Sequence, residues 1–133
     1  MGLFSRVPRS RFPADMLRWL EIFGRYSLDM QHSGIDGGDM WERLGPLHEY
    51  ATSDRAGFLA ELQAVVAGDQ GGFATFGAAR LVWEMYSGDS LHIPAALPLI
   101  DAGIEFKCSR GLPTMMLTGY EMQRLAQIRE QTG

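Results

Sequence analysis

The sequence predicts an all-α protein: a single compact bundle of five to seven helices around a buried central helix near residues 73–87. Three observations carry that expectation. Residues 72–88, GFATFGAARLVWEMYSG, are apolar on almost every side, and only Thr75, Arg80, Glu84 and Ser87 break the pattern. A helix that is hydrophobic all round has no face to give to water, so it belongs inside a bundle or at a subunit interface. The flanking segments repeat apolar residues at i, i+3, i+4 and i+7, which is the helical period. Strand-like alternation is scarce, and TMML at 114–117 is the only short candidate.

Residues 1–12 read as a flexible basic arm, with Arg6, Arg9 and Arg11 and with Pro8 and Pro13 discouraging a helix. The helical domain then spans 13–133. A first helix opens at Asp15 and places Met16, Trp19, Leu20 and Phe23 on one stripe, with Glu21 and Arg25 as an i, i+4 pair on the other face. It fades near Met30. The loop HSGIDGGD at 32–39 follows. Asp39 is the expected N-cap of the next helix, with Glu42 at N3 in a capping-box variant, and Pro46 is expected to kink or split that helix. Ser53 or Thr52 is the expected cap of a helix carrying Phe58, Leu59, Leu62, Val65 and Val66, with Gly68 as its stop. Gly88 is the expected stop of the central helix. Pro94 opens another helical stretch, striped by Leu97, Ile100 and Ile104, and Pro98 either bends it or starts its regular part. The last helix has the clearest start. Thr118 and Glu121 form a capping box, Leu117 and Met122 sit at the staple positions, and the helix runs to about Gln131.

Composition bounds the possibilities. The chain has 133 residues, enough for one core, with 46% hydrophobic and 21% charged residues. That balance belongs to a folded globular domain rather than a disordered one. A net charge of −4 argues against a broad nucleic-acid surface. The helices at 39–52 and 54–67 imitate a helix-turn-helix, but the second offers only Arg55 and Gln63 to DNA, beside Asp54 and Glu61. No apolar run reaches membrane-spanning length, so no membrane partner is expected. The N-terminus lacks both the apolar core of a signal peptide and the myristoylation pattern. The single Cys108 permits no intramolecular disulfide, which suits the cytoplasm. Arginine outnumbers lysine, whose sole instance is Lys107, as expected of a high-GC bacterial genome.

No catalytic, metal or cofactor constellation emerges. The loop from Asp29 lacks the bidentate glutamate of a calcium site, because Met40 stands in that place. His48 has no ligating residue at i±3 or i±4; His32 lies near Asp36 and Asp39, but a transition-metal site among these residues and His92 would need tertiary convergence that the sequence does not show. Cys108 falls four residues after Ile104, so a buried structural thiol is expected. Two regions remain. In the segment 109–120, Met115, Met116 and Leu117 are too apolar for an open loop, and Arg110, Tyr120 and Arg124 flank them. On the central helix, Arg80 and Glu84 lie one turn apart beside Trp83, and a charge pair on a buried helix must be satisfied or must line a pocket.

The function that fits is a non-enzymatic protein–protein interaction module of the adaptor, accessory or immunity type, self-associating as a homodimer. The alternative is a small ligand-binding or enzymatic bundle with an inter-helix pocket near Arg80 and Glu84, open to a small-molecule ligand.

Overall fold

The structure is a computed structural model that describes residues 11–28, 37–110 and 117–132. It is all-α, with no strand among the described residues. The helices are α1 (Met16–Leu28), α2 (Gly37–Ser53), α3 (Arg55–Val66), α4 (Phe73–Tyr86), α5 (Leu97–Ser109) and α6 (Gly119–Thr132). Two 3-10 segments, Ser87–His92 and Pro94–Ala96, join α4 to α5. Residues 1–10, 29–36 and 111–116 lie outside the described residues, and with them most of the basic arm, the 32–39 loop, Met115, Met116 and most of the TMML run.

α4 is the centre of the bundle. It lies along α1 and α5 and also touches α2 and α3. Its residues Ala74, Thr75, Phe76, Gly77, Ala78 and Ala79 are all buried, so the all-round apolar pattern finds neighbours on every side. The small residues set how close those neighbours come. Where α1 crosses α4, Gly24 and Gly77 face each other, and a Cβ built on Gly24 falls 3.0 Å from the Gly77 nitrogen. A Cβ on Gly77 would overlap the carbonyl oxygen of Leu20, and one on Gly24 that of Phe73. The two backbones are in contact there, with no room for a side chain. On the opposite side Gly103 of α5 sits against Ala79 in the same way.

A second layer forms where α2 and α3 meet the central helix. Phe12, Tyr50 and Phe58 pack edge to face with centroids 5.3–5.4 Å apart, and Tyr86 continues the cluster at 6.2 Å from Phe58. Phe12 is therefore buried, and the arm does not extend as far as residue 12.

Several helix ends differ from the sequence reading, each for a local reason. α2 begins at Gly37, so Asp39 lies inside it rather than at its cap, and the helix continues through Pro46. Asp54, not Ser53 or Thr52, caps α3, accepting the Gly57 N–H at 3.0 Å. It is the residue directly before the first turn, where its carboxylate reaches the N3 amide. Gly68 does not stop α3 with a left-handed residue; the positive φ values fall at Gln70 and Gly71. Ser87, not Gly88, takes the positive φ that ends α4, at φ 49° and ψ −134°. Ser87→Gly is therefore expected to stabilise the fold by about 1 kcal/mol, as relief of an unfavourable backbone conformation outweighs the added chain entropy. The check is a rise in the urea midpoint at unchanged slope.

Pro98 sits in the first turn of α5, where its missing N–H costs nothing. The capping box of α6 forms as expected: Glu121 Oε1 accepts from the Thr118 N–H at 2.8 Å. The staple contributes little, because Leu117 is buried but Met122 is 58% exposed.

Candidate functional site

The structure brings together four of the residues singled out in the sequence. They lie where the second half of α4 meets the start of α6. Arg80 and Glu84, one turn apart on α4, are joined by an Nη2–Oε1 contact of 3.2 Å, with side chains 23% and 29% exposed. The pair is neither sealed in the core nor free in solvent. Trp83, between them in sequence, stacks on Tyr120 of α6 with centroids 4.3 Å apart and planes 11° from parallel. The Nε of Arg80 is buried and has no acceptor among the described residues.

Two charge pairs, one buried and one with a partly exposed carboxylate, tie the helix that carries Tyr120 to α5. Glu121, the capping-box residue, receives Lys107 Nζ of α5 at 2.6 Å, with both side chains nearly excluded from water. Its Oε1 also accepts from the Thr118 hydroxyl at 3.0 Å. One turn on, Arg124 grips Asp101 of α5 with Nε–Oδ1 at 2.7 Å and Nη2–Oδ2 at 3.0 Å. The bonds to Asp101 raise the guanidinium pKa further, against the opposing effect of burial. Arg124 also donates to Gln127 at 3.2 Å, and Gln127 donates to the Leu91 carbonyl at 3.3 Å. Bidentate guanidinium–carboxylate pairing fixes orientation as well as distance. α6 is thus tied to α5 at two successive turns, at Glu121 directly after Tyr120 and at Arg124 one turn on.

Arg124 therefore anchors α6 rather than standing open to a ligand. Arg110 lies elsewhere. It is exposed at the end of α5, with its guanidinium 4.4 Å from the Phe106 ring and 5.1 Å from that of Phe73. Arg25 of α1 covers the same Phe73 ring at 4.1 Å. Met115 and Met116 fall outside the described residues.

Cys108 requires a correction, for it is exposed. The buried stripe of α5 runs Ile100, Gly103, Ile104 and Lys107. The chain's one lysine therefore takes the inward position, with Cys108 one step around the helix. Residue 107 continues the spacing from Ile100, although a lysine on an apolar stripe is uncommon. Only the arrival of Glu121 from α6 makes its burial affordable. The pairs Lys107–Glu121 and Asp101–Arg124 were not foreseen. The one signal in the sequence was a charge occurring on an apolar stripe.

The described residues hold no group of three or more His, Cys, Asp or Glu arranged to bind a metal. His48 and His92 are exposed. No described helix is long and apolar enough to cross a membrane. Two cavities are lined by described residues, and neither borders Arg80 or Glu84. One of about 270 Å³ lies between α1, α2 and residues 11–13, and one of about 420 Å³ lies beside Gln70, Thr75 and Phe106.

Burial, reinforced by the neighbouring Glu121 and Glu84 against the pull of Arg80, pushes Tyr120 up to about 12. At neutral pH its hydroxyl is protonated and acts in hydrogen bonding, not as a base. Burial likewise pushes Tyr86 to about 12, and burial together with the hydrogen bond to Glu61 does the same for Tyr50. All three folded pKa values lie above the unfolded value of 10.0, so the folded chain holds more protons than the unfolded chain between pH 10 and 12. Stability is then complete below pH 10 and falls as pH rises toward 12. Denaturation midpoints measured from pH 9 to 12 should drop steeply above roughly pH 10, with tyrosinate absorbance appearing together with loss of helicity.

Comparison with protein-family models, with curated proteins and with solved structures finds no match to this chain.

Proposed function

We propose that the chain is a non-enzymatic interaction module, of the adaptor, accessory or immunity type, that pairs with a second copy of itself through the Arg80–Trp83–Glu84–Tyr120 face. The observation that carries this reading is the aromatic stack of Trp83 on Tyr120 set against an Arg80–Glu84 pair that is about a quarter exposed. Tryptophan, tyrosine and arginine are the residues on which interface energy concentrates. The charge pair supplies self-complementarity. A two-fold axis that sets α4 antiparallel to its copy brings Arg80 opposite the second Glu84, and Glu84 opposite the second Arg80, which is the geometry of an isologous contact. Each carboxylate would then accept from two guanidinium groups, and the partly buried Trp83 ring, backed by the buried Tyr120, would lose its remaining contact with water. In this reading the chain works in the cytoplasm, where its exposed Cys108 stays reduced.

Light scattering across a dilution series tests the proposal. Wild type is expected to populate a dimer. Glu84→Arg places like charges against each other twice and should weaken association by at least about tenfold. The double reversal Arg80→Glu with Glu84→Arg restores complementarity and should restore the dimer. A wild type that stays monomeric at every concentration rejects this reading, as does a dimer indifferent to Glu84→Arg.

A further inference from the structure

The cavity of about 270 Å³ between α1, α2 and residues 11–13 shares no lining residue with the face described above. Its walls are Pro13, Met16, Trp19, Pro46 and Leu47, and its remaining lining residues are Arg11 and Arg43. None of the lining residues is acidic. Trp19 is 3% exposed and stacks flat on Phe23 at 5.0 Å, so its ring cannot turn to find a partner. Its indole nitrogen is buried and has no hydrogen-bond acceptor among the described residues. A buried donor without an acceptor is uncommon, and because Trp19 also lines the cavity its indole N–H reports on what enters there. Arg43 is the more loosely held of the two arginines: its Nη1 meets Asp15 at 2.8 Å, with both side chains nearly half exposed. Arg11 lies over the Tyr50 ring at 4.4 Å, donates from Nη2 to Ser53 at 3.4 Å and stands 3.9 Å from Asp54, with its side chain half exposed. Exposed pairs of this kind are weak, and a guanidinium carries five donors, so each arginine keeps donors for an incoming anion.

From these features we infer that the cavity is a binding site for a small amphipathic carboxylate, one whose aryl or short-chain body lies along Trp19, Met16 and Leu47 while its carboxylate meets Arg43 and Arg11. Size agrees with this class. A cavity of roughly 150 Å³ accepts benzene, so this one has room for a ring and a short chain. Charge selects the acid over its amine counterpart, because the polar groups of the lining are all donors.

The probe is 4-phenylbutyrate, titrated into the full chain and followed by the ¹H–¹⁵N resonances of the indole groups, with 4-phenylbutylamine as the charge-reversed control. The Trp19 indole resonance, assigned by its loss in Trp19→Phe, should move on adding the acid in the roughly millimolar range that so few atoms can reach. The amine should bind at least about tenfold more weakly. Arg43→Met, an exposed position that leaves the core intact, should weaken the acid about tenfold without moving the melting temperature. A Trp19 resonance unmoved by the acid overturns the inference, and so does an equal response to acid and amine or an affinity unchanged in Arg43→Met. Because the readout needs no dimer, its failure is separable from failure of the proposed self-association.

Discussion

Gly77→Ala should destabilise the fold by about 3 kcal/mol or more, the upper end of what inserting a methyl into a packed core costs. Helix propensity alone predicts the opposite sign, since alanine is favoured over glycine inside a helix by about 1 kcal/mol. The difference lies across the α1–α4 contact. The new Cβ would overlap the Leu20 carbonyl oxygen, which belongs to a helical backbone and cannot rotate away like a side chain. The helices must separate instead, and separation opens space along the whole crossing. Gly119→Ala, in the first turn of α6, is the internal control. A Cβ on Gly119 meets nothing within 4 Å, so the same substitution there should be neutral or stabilise by up to about 0.5 kcal/mol. Urea unfolding followed by circular dichroism measures both. Gly24→Ala should resemble Gly77→Ala. The double variant should cost less than the sum, because one separation of the helices accommodates both methyls. A neutral Gly77→Ala would mean that α1 and α4 do not cross at van der Waals contact.

Glu121→Ala should cost about 3–5 kcal/mol, the range found when one partner of a buried ion pair is removed. It takes the carboxylate from Lys107, whose side chain is only 6% exposed, and removes the acceptor that caps the α6 backbone at Thr118. Glu121→Gln keeps an oxygen for the cap and discards the charge, so it isolates the ion pair. Adding Lys107→Met to Glu121→Gln should recover much of the loss, since two neutral groups are cheaper to bury than one charge without its counterion. The expected coupling in the double-mutant cycle is about 2 kcal/mol or more. The surface pair Glu21–Arg25, at 3.7 Å with both side chains about half exposed, sets the opposite limit, and Glu21→Ala should stay within about 0.5 kcal/mol. If Glu121→Gln were as mild as Glu21→Ala, the seat of α6 on α5 would have to rest on Arg124 and Asp101 alone. Because Tyr120 lies beside Glu121, loosening this pair should also disturb the Trp83 stack and with it the proposed dimer face.

The all-α class, the buried central helix and the capping box of α6 were legible because each depends on neighbours in sequence. Helical periodicity, the absence of a polar face at 73–79 and the Thr118–Glu121 spacing are local facts, and local geometry obeys them. The Arg80–Glu84 pairing was legible for the same reason, since i, i+4 residues on one helix meet whatever the helix packs against. Errors at helix ends came where several residues could serve one role. Thr52, Ser53 and Asp54 are all capping residues, and the choice among them depends on where the chain turns. Ser87 bears the positive φ because the path into the 3-10 segment requires it there, even with Gly88 next in line.

What the sequence determined by itself, then, is which segments coil and which of their faces avoid water, because those properties are set within a few residues. The tertiary structure decided which distant residues meet: Gly24 with Gly77, Lys107 with Glu121, Asp101 with Arg124, Trp83 with Tyr120, and the cavity wall of Trp19 with the arginines at its edge. A stripe marks a face as buried without naming its partner, since apolar contact is non-directional and many pairings bury similar area. The choice falls to close-range constraints between helices, where a glycine admits a backbone or a carboxylate neutralises a lysine, and those arise only when the helices are packed.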